Sequence, residues 1–263
     1  MNELGFVLSG LFVGLIVGLT GVGGGSLMTP ILIFFFDIKP YLAVGTDLLF
    51  AACTKGAGTL NMARRRMVPW RVVGILCAGI LPACVLTLWA LNHLGPAEDS
   101  VQQIMKATLG LALLLTSAAM LYKAIKGKTA PKVVPESELQ LATQSRHWAM
   151  PVAFGAVIGV LVTLTSVGAG AIGVSVLMVL YPRLPIARIV AIDIAYAVPL
   201  TLLAGLGHAS MGSVDWQMLG YLLTGSLPGI WLGSQLVHKA PERLIRSVIS
   251  VLLAWAGSKL VFL

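Results

Sequence analysis

The chain has 263 residues, of which 57% are hydrophobic and 11% are charged, with a formal net charge of +8. Soluble domains carry about a quarter charged residues, so this composition excludes an ordinary soluble domain and indicates an integral membrane protein. The basic residues fall between long apolar segments instead of forming one patch, which argues against a nucleic-acid partner and makes the lipid bilayer the expected surroundings.

The first apolar segment carries no charge from residue 4 to residue 36 and contains Gly23, Gly24 and Gly25. A continuous helix over these 33 residues would reach about 50 Å, whereas the bilayer core is about 30 Å thick. The segment must therefore break or turn back inside the membrane. The start of the chain, Met1-Asn2-Glu3, lacks the basic region of a signal peptide, so we expect the first helix to remain in the mature protein.

Ordinary apolar segments and a second overlong run follow along the chain. Ordinary transmembrane helices are predicted at residues 72–91, 107–122, 189–207 and 216–237. A second overlong uncharged run, residues 149–181, is interrupted by Gly168-Ala169-Gly170. One polar stretch, Lys123 to Arg146, has the composition of an exposed linker. We predict a first transmembrane repeat over 1–126, a cytoplasmic linker over 127–146 and a second transmembrane repeat over 147–263.

The two halves can be aligned at a nearly constant offset, which is 145 residues at the glycines and 146 after one inserted residue. Pairs that stay in register include Gly23 with Gly168, Gly25 with Gly170, Asp47 with Asp193, Trp70 with Trp216, and Pro82 with Pro228. Chance similarity among apolar residues would not keep Trp, Asp and Pro aligned, so the halves are predicted to be structural repeats.

The charges of equivalent turns predict the orientation of the repeats. Basic residues cluster at 64–66 and 239–246, whereas the equivalent turns near 210–213 and 92–100 have none. Because basic loops are cytoplasmic, equivalent turns lie on opposite sides and the repeats are inverted. Counting each broken run as two arms followed by three helices gives an all-α protein of five segments per half, with both termini outside. A re-entrant hairpin in place of the two arms leaves the same sidedness.

Several ordered motifs carry a resemblance to a known family. They are Leu19-Thr20-Gly21-Val22-Gly23-Gly24-Gly25 with Pro30 downstream, Ala43-Val44-Gly45-Thr46-Asp47-Leu48-Leu49, Thr54-Lys55, Val68-Pro69-Trp70, and, in the second half, Ser166-Val167-Gly168-Ala169-Gly170 with Asp193. Over nearly its whole length the chain resembles the TauE/SafE sulfite exporter family. The resemblance implies a bacterial inner-membrane transporter that exports sulfite or a small organosulfonate such as sulfoacetate.

The glycine breaks also give a physical reason to bind an anion. A helix that starts inside the membrane presents free N–H groups and a positive dipole end, and nearby hydroxyls add donors. Close helix packing is the alternative role of such small residues, but a break repeated in two overlong runs favours a site. The predicted substrate contacts are Thr20, Gly23, Gly24, Gly25, Ser26, Lys55, Thr165, Ser166, Gly168, Ala169 and Gly170.

Asp47, Lys55 and Asp193 lie inside predicted helices, where each costs on the order of 3 kcal/mol to insert. Lys55 is predicted to contact the anion, and the two aspartates are candidates for proton coupling because a buried carboxyl can take up a proton. Lys55 and Asp193 are predicted to lie at a similar depth in the membrane, which leads to the hypothesis that they face each other. A structural ion pair is the alternative. His93 and His208 are expected at solvated outer turns.

The cysteines, Cys53, Cys77 and Cys84, show no metal-binding or redox spacing, so neither a metal nor a cofactor is expected. The sequence also lacks HExxH and GxSxG motifs, which makes an intramembrane enzyme the less favoured alternative. An exporter or channel for a different small anion is the other alternative. The prediction is a secondary transporter working by alternating access, with its cargo, coupling ion and oligomeric state left open.

Overall fold

The computed structural model describes residues 2–20, 25–126, 148–236 and 242–262. In these ranges the chain forms ten helices and no strand. The helices are α1 Asn2–Thr20, α2 Gly25–Phe36, α3 Pro40–Arg64, α4 Trp70–Leu94, α5 Asp99–Lys126, α6 Ala149–Thr165, α7 Ala171–Leu180, α8 Ile186–Ser210, α9 Trp216–Leu236 and α10 Glu242–Phe262. The predicted all-α class is confirmed. The predicted linker, 127–146, lies outside the described residues.

Three helices in the described part of the chain are long and apolar enough to cross a membrane: Trp70–Leu94, Asp99–Tyr122 and Ile186–Ser210. Helix α3 has the same length as α4 and α8, 25 residues, but is less hydrophobic because it contains Asp47 and Lys55. All six tryptophans are exposed on the outer surface of the bundle. Exposed tryptophans on apolar helices are typical of a surface that contacts lipid.

The first glycine-containing run folds back as a hairpin. The rings of Phe6, near the start of α1, and Phe36, at the end of α2, are 4.6 Å apart. Helix α2 has 12 residues and α7 has 10, so they cover only about 18 Å and 15 Å of a core that is about 30 Å thick. These lengths favour the re-entrant alternative for the shorter arm of each run.

Glycines allow two equivalent pairs of helices to pack at close range. A Cβ atom added to the glycines of the first pair, α1 with α9, would overlap the backbone of the facing helix, and the same holds for the second pair, α4 with α6. The glycines concerned are Gly10, Gly14, Gly225, Gly229 and Gly233 in the first pair, and Gly79, Gly155 and Gly159 in the second. In both pairs the contacts advance along the two helices in the same direction, so the helices run parallel.

Two other pairs, α3 with α8 and α5 with α10, run antiparallel. Gly45 near the start of α3 lies against His208 near the end of α8, whereas Gly58 near the end of α3 lies against Ile194. In the second pair the Ser117 hydroxyl donates to the carbonyl oxygen of Ser250 at 2.6 Å. Helix α3 contributes buried residues to two apolar clusters, and α8 contributes to one of them.

Candidate anion-binding site

The three interior ionisable residues lie on the α3–α8 pair and are all buried. Asp47 is 0% exposed, Asp193 3% and Lys55 5%. Both carboxyl groups lie near enough to Lys55 to interact with it electrostatically. The hypothesis that Lys55 and Asp193 face each other stays a prediction, and the structure places both side chains in the buried interior of this helix pair. Charged groups in a low-dielectric interior interact strongly with one another.

The Asp193 carboxyl group lies at the N-terminus of α7. Its Oδ1 atom accepts hydrogen bonds from the Tyr196 hydroxyl at 2.7 Å and from the Gly170 N–H at 3.2 Å. Gly170 directly precedes α7, so the carboxylate is placed where the helix dipole favours negative charge. A Cβ atom at Gly173 would overlap both Asp193 Oδ1 and the Tyr196 hydroxyl. Glycine at this position is what allows α7 to approach the carboxyl.

The Asp47 carboxyl group has different surroundings. Its Oδ2 atom accepts a hydrogen bond of 2.5 Å from the hydroxyl of Thr29 on α2. The Ser166 hydroxyl, which follows α6, lies close enough to interact with the same carboxyl. By hydrogen-bond geometry, Asp47 Oδ1 and the Ser166 hydroxyl have no partner among the described residues, although both are buried. The Ser166 hydroxyl can therefore donate to a ligand beside the break, whereas a carboxylate oxygen such as Asp47 Oδ1 would repel an anion.

The second break connects the two carboxyl groups. Ser166 at its start is near Asp47, and Gly170 at its end donates to Asp193. Gly168 and Gly170 have φ angles of 128° and 130°, which favour glycine, and Ser166 has a φ of 59°. The Thr165 hydroxyl donates to the Leu161 carbonyl oxygen at 2.6 Å and accepts from the Val167 N–H, so it stabilises the turn.

The remaining predicted contacts are placed less completely. Ala169 is buried between the two glycines of the second break. Gly23 and Gly24 lie outside the described residues. For Thr20, Gly25 and Ser26 the backbone is described, at the end of α1 and the start of α2, but the side-chain surroundings are not. The first break therefore contributes to the described site through α2 and its Thr29.

Sequence reasoning missed two residues of this site, Tyr196 and Thr29. Tyr196 has a detectable signal, because it lies three residues after Asp193 and such residues share a helix face. Thr29 has no detectable signal in the sequence, since its hydrogen bond to Asp47 depends on how α2 packs against α3.

The expectation that His208 lies in a solvated turn is wrong. His208 is 0% exposed, and its Nε2 atom lies 3.0 Å from the Thr163 carbonyl oxygen, to which it donates. It is buried because the turn after α8 folds back, with the Ser213 N–H donating to the His208 carbonyl oxygen at 2.9 Å, and because Gly45 lets α3 pack against it. His93, in contrast, is exposed and lies against Trp89.

Comparison with known proteins gives a consistent result. The family model described as "Sulfite exporter TauE/SafE" matches residues 6–260. The chain is 35% identical over 260 residues to the probable membrane transporter protein YjnA of Bacillus subtilis (strain 168), covering 98% of this chain and 100% of the relative. It is 25% identical over 272 residues to the probable membrane transporter protein YunE of the same organism, covering 100% and 98%. No solved structure gives a significant match.

Proposed function

The chain belongs to the TauE/SafE sulfite exporter family and is a multi-pass membrane transporter, and from this premise we propose that it exports a small sulfur-containing anion. The proposed cargo is sulfite or a small organosulfonate such as sulfoacetate, and the proposed membrane is the bacterial inner membrane. The observation that carries the proposal is a buried lysine, Lys55, that interacts electrostatically with Asp193, the residue whose carboxyl lies at the N-terminus of α7. A cation and a helix N-terminus are the two groups that favour a buried anion.

Hydroxyl groups complete the proposed binding site. Ser166 has a buried hydroxyl with no partner among the described residues, on the side of the break that faces Asp47. A sulfur oxyanion offers several acceptor oxygens, so it can accept from this hydroxyl, from the backbone of the second break and from Lys55 at the same time. Thr165 supports the geometry of the break. Thr20, Ser26 and the first glycine group are proposed as the corresponding contacts from the first half.

We propose that the halves are inverted repeats and that transport proceeds by alternating access. The antiparallel packing of the equivalent helices α3 and α8, and of α5 and α10, supports this arrangement. If α1 to α5 correspond in order to α6 to α10, the counterpart of the α1–α9 pair is the α6–α4 pair. This pair also packs at close range. In this topology the basic turn at 64–66 is cytoplasmic and both termini are outside. The two glycine breaks then approach the centre from opposite sides.

Sulfite flux in proteoliposomes with an imposed pH gradient tests the proposal. We expect saturable flux in the wild type, loss of flux in Lys55→Ala, and competition by unlabelled organosulfonates that ranks the cargo. Lys106→Ala is the matched control, because Lys106 is exposed on α5, and it should keep the wild-type rate. Folded wild-type protein that moves none of the tested anions under any gradient would refute the proposed function.

Proton coupling by Asp47 and Asp193 is part of the proposal. Both carboxyls are buried and share one cation, so uptake of a proton by either would change the charge around Lys55. Flux that depends on the pH gradient in the wild type and becomes independent of it in Asp47→Asn would support coupling. Flux driven by the anion gradient alone, with no response to the pH gradient, would contradict it.

A further inference from the structure

Part of the site proposed to bind the cargo is already engaged by a carboxyl group of the protein. The Gly170 N–H donates to Asp193 Oδ1, the Tyr196 hydroxyl holds the same oxygen in place, and Lys55 lies near enough to interact with this carboxyl electrostatically. Asp193 is 3% exposed. Its carboxyl group therefore occupies the position where Lys55 and the N-terminus of α7 would hold a small anion. We call Lys55, Gly170 and the adjoining first turn of α7 the anion site.

The described residues around the equivalent carboxyl of the first half are different. Asp47 corresponds to Asp193, but Phe50 stands where the second half has Tyr196, and Thr201 stands where the first half has Lys55. Phe50 is fully buried and provides no hydroxyl. The hydroxyl that donates to Asp47 comes from Thr29 on a different helix. Among the described residues, a tyrosine donor on the same helix is thus found at Asp193 and not at Asp47.

We propose that Asp193 is an internal competitor of the cargo, occupying the anion site when the cargo is absent and leaving it when the cargo binds. The proposal rests on the proposed function, in which Lys55 and the second break bind the exported anion. Asp47 and Asp193 already lie beside Lys55, so a cargo anion would add a third negative charge near one lysine in a low-dielectric interior, which is strongly unfavourable. Withdrawal of the Asp193 carboxyl from the site would relieve this repulsion.

The exchange would couple cargo binding to movement of the second break. Helix α7 approaches α8 through Gly170, which donates to Asp193, and through Gly173, which lies against Asp193 and Tyr196. When the carboxyl leaves the site, the α7–α8 contact loses its polar link. A cargo that binds one arrangement of α7 better than the other shifts the population of the two arrangements, as alternating access requires.

Two substitutions weaken the competitor without removing the anion site. Asp193→Asn keeps the shape and an acceptor oxygen for Gly170 and Tyr196 but removes the charge. Tyr196→Phe keeps all charges, removes one donor to Asp193 and introduces the residue that the first half carries at Phe50. In sulfite flux measurements both should lower KM, by about tenfold for Asp193→Asn and about threefold for Tyr196→Phe, and both should lower the maximal rate because release slows.

A matched control is Tyr181→Phe, because Tyr181 is buried and its hydroxyl has no partner among the described residues; its KM should stay at the wild-type value. Tyr196→Phe decides the test if Asp193→Asn fails to fold with an uncompensated lysine. A KM for sulfite that rises or stays unchanged in Tyr196→Phe, with saturable flux in the wild type, overturns the competitor and leaves the proposed function intact. Absence of flux in the folded wild type refutes the proposed function instead.

Discussion

Gly173→Ala is the most direct perturbation of the contact between α7 and α8. Gly173 is buried in the first turn of α7, and an added Cβ atom would overlap Asp193 Oδ1 and the Tyr196 hydroxyl together. These two atoms are joined by a 2.7 Å hydrogen bond, so neither can move away without affecting the other. The methyl group must displace either α7 or the Asp193–Tyr196 pair.

The expected cost follows from two contributions. Inserting a methyl group into a packed interior costs about 1–3 kcal/mol, and weakening a hydrogen bond to a charged group costs about 1.5–3 kcal/mol. Because the methyl group disturbs one contact or the other, we expect a loss of about 2–3 kcal/mol of unfolding free energy. For a chain of this size that corresponds to a fall in Tm of about 4–12 °C.

The assay is thermal unfolding of the purified protein in detergent, together with sulfite flux after reconstitution. Gly220→Ala is the matched control, because Gly220 lies within α9 and a Cβ atom there meets no atom within 4 Å. Alanine should stabilise that helix by up to about 1 kcal/mol. Wild-type Tm and flux in Gly173→Ala would refute the close approach of α7 to Asp193.

Other parts of the fold give further predictions. His208→Ala should lower Tm by about 5–10 °C, since it leaves a cavity and removes the donor to the Thr163 carbonyl oxygen; unchanged unfolding would contradict the burial of His208. Gly229→Val should destabilise the protein at least as much, because the α1–α9 backbone contact has no room for a side chain. Thiol labelling by a membrane-impermeant reagent should modify Arg65→Cys from the cytoplasmic side and Ser210→Cys from outside; labelling of both from one side would refute inverted repeats.

The helical organisation could be predicted from the sequence because length and charge limit it strongly. An uncharged run of 33 residues is too long for one crossing, so a break at Gly23 to Gly25 and at Gly168 to Gly170 was the physical consequence. The boundaries of α2 and α7 agree with this, since α2 begins at Gly25 and α7 directly after Gly170. The hypothesis that Lys55 and Asp193 face each other came in the same way, from counting residues along two opposed helices, and it stays a prediction; the structure confirms the antiparallel packing of these two helices.

Contacts between distant segments could not be obtained in this way. The N–H groups at the start of α7 were expected to be free for an anion. In the structure the Gly170 N–H already donates to the carboxyl of Asp193, which lies 23 residues later in the chain. The burial of His208 likewise depends on the turn after α8 and on Gly45 of α3. Both errors concern polar groups whose partners are provided by tertiary packing, which periodicity and hydropathy do not describe.

The two halves share a carboxyl in the same position, yet they differ in the residues that decide how it is used. A perfectly symmetric protein would offer the anion two equal sites, one at each break. Here the described interior has its lysine on α3, near both carboxyls, and the hydroxyl of Tyr196 donates to Asp193 alone. Phe50 provides no such donor to Asp47. Anion binding should therefore concentrate at the second break, while the first half contributes the cation and the Thr29–Asp47 pair that links α2 to α3.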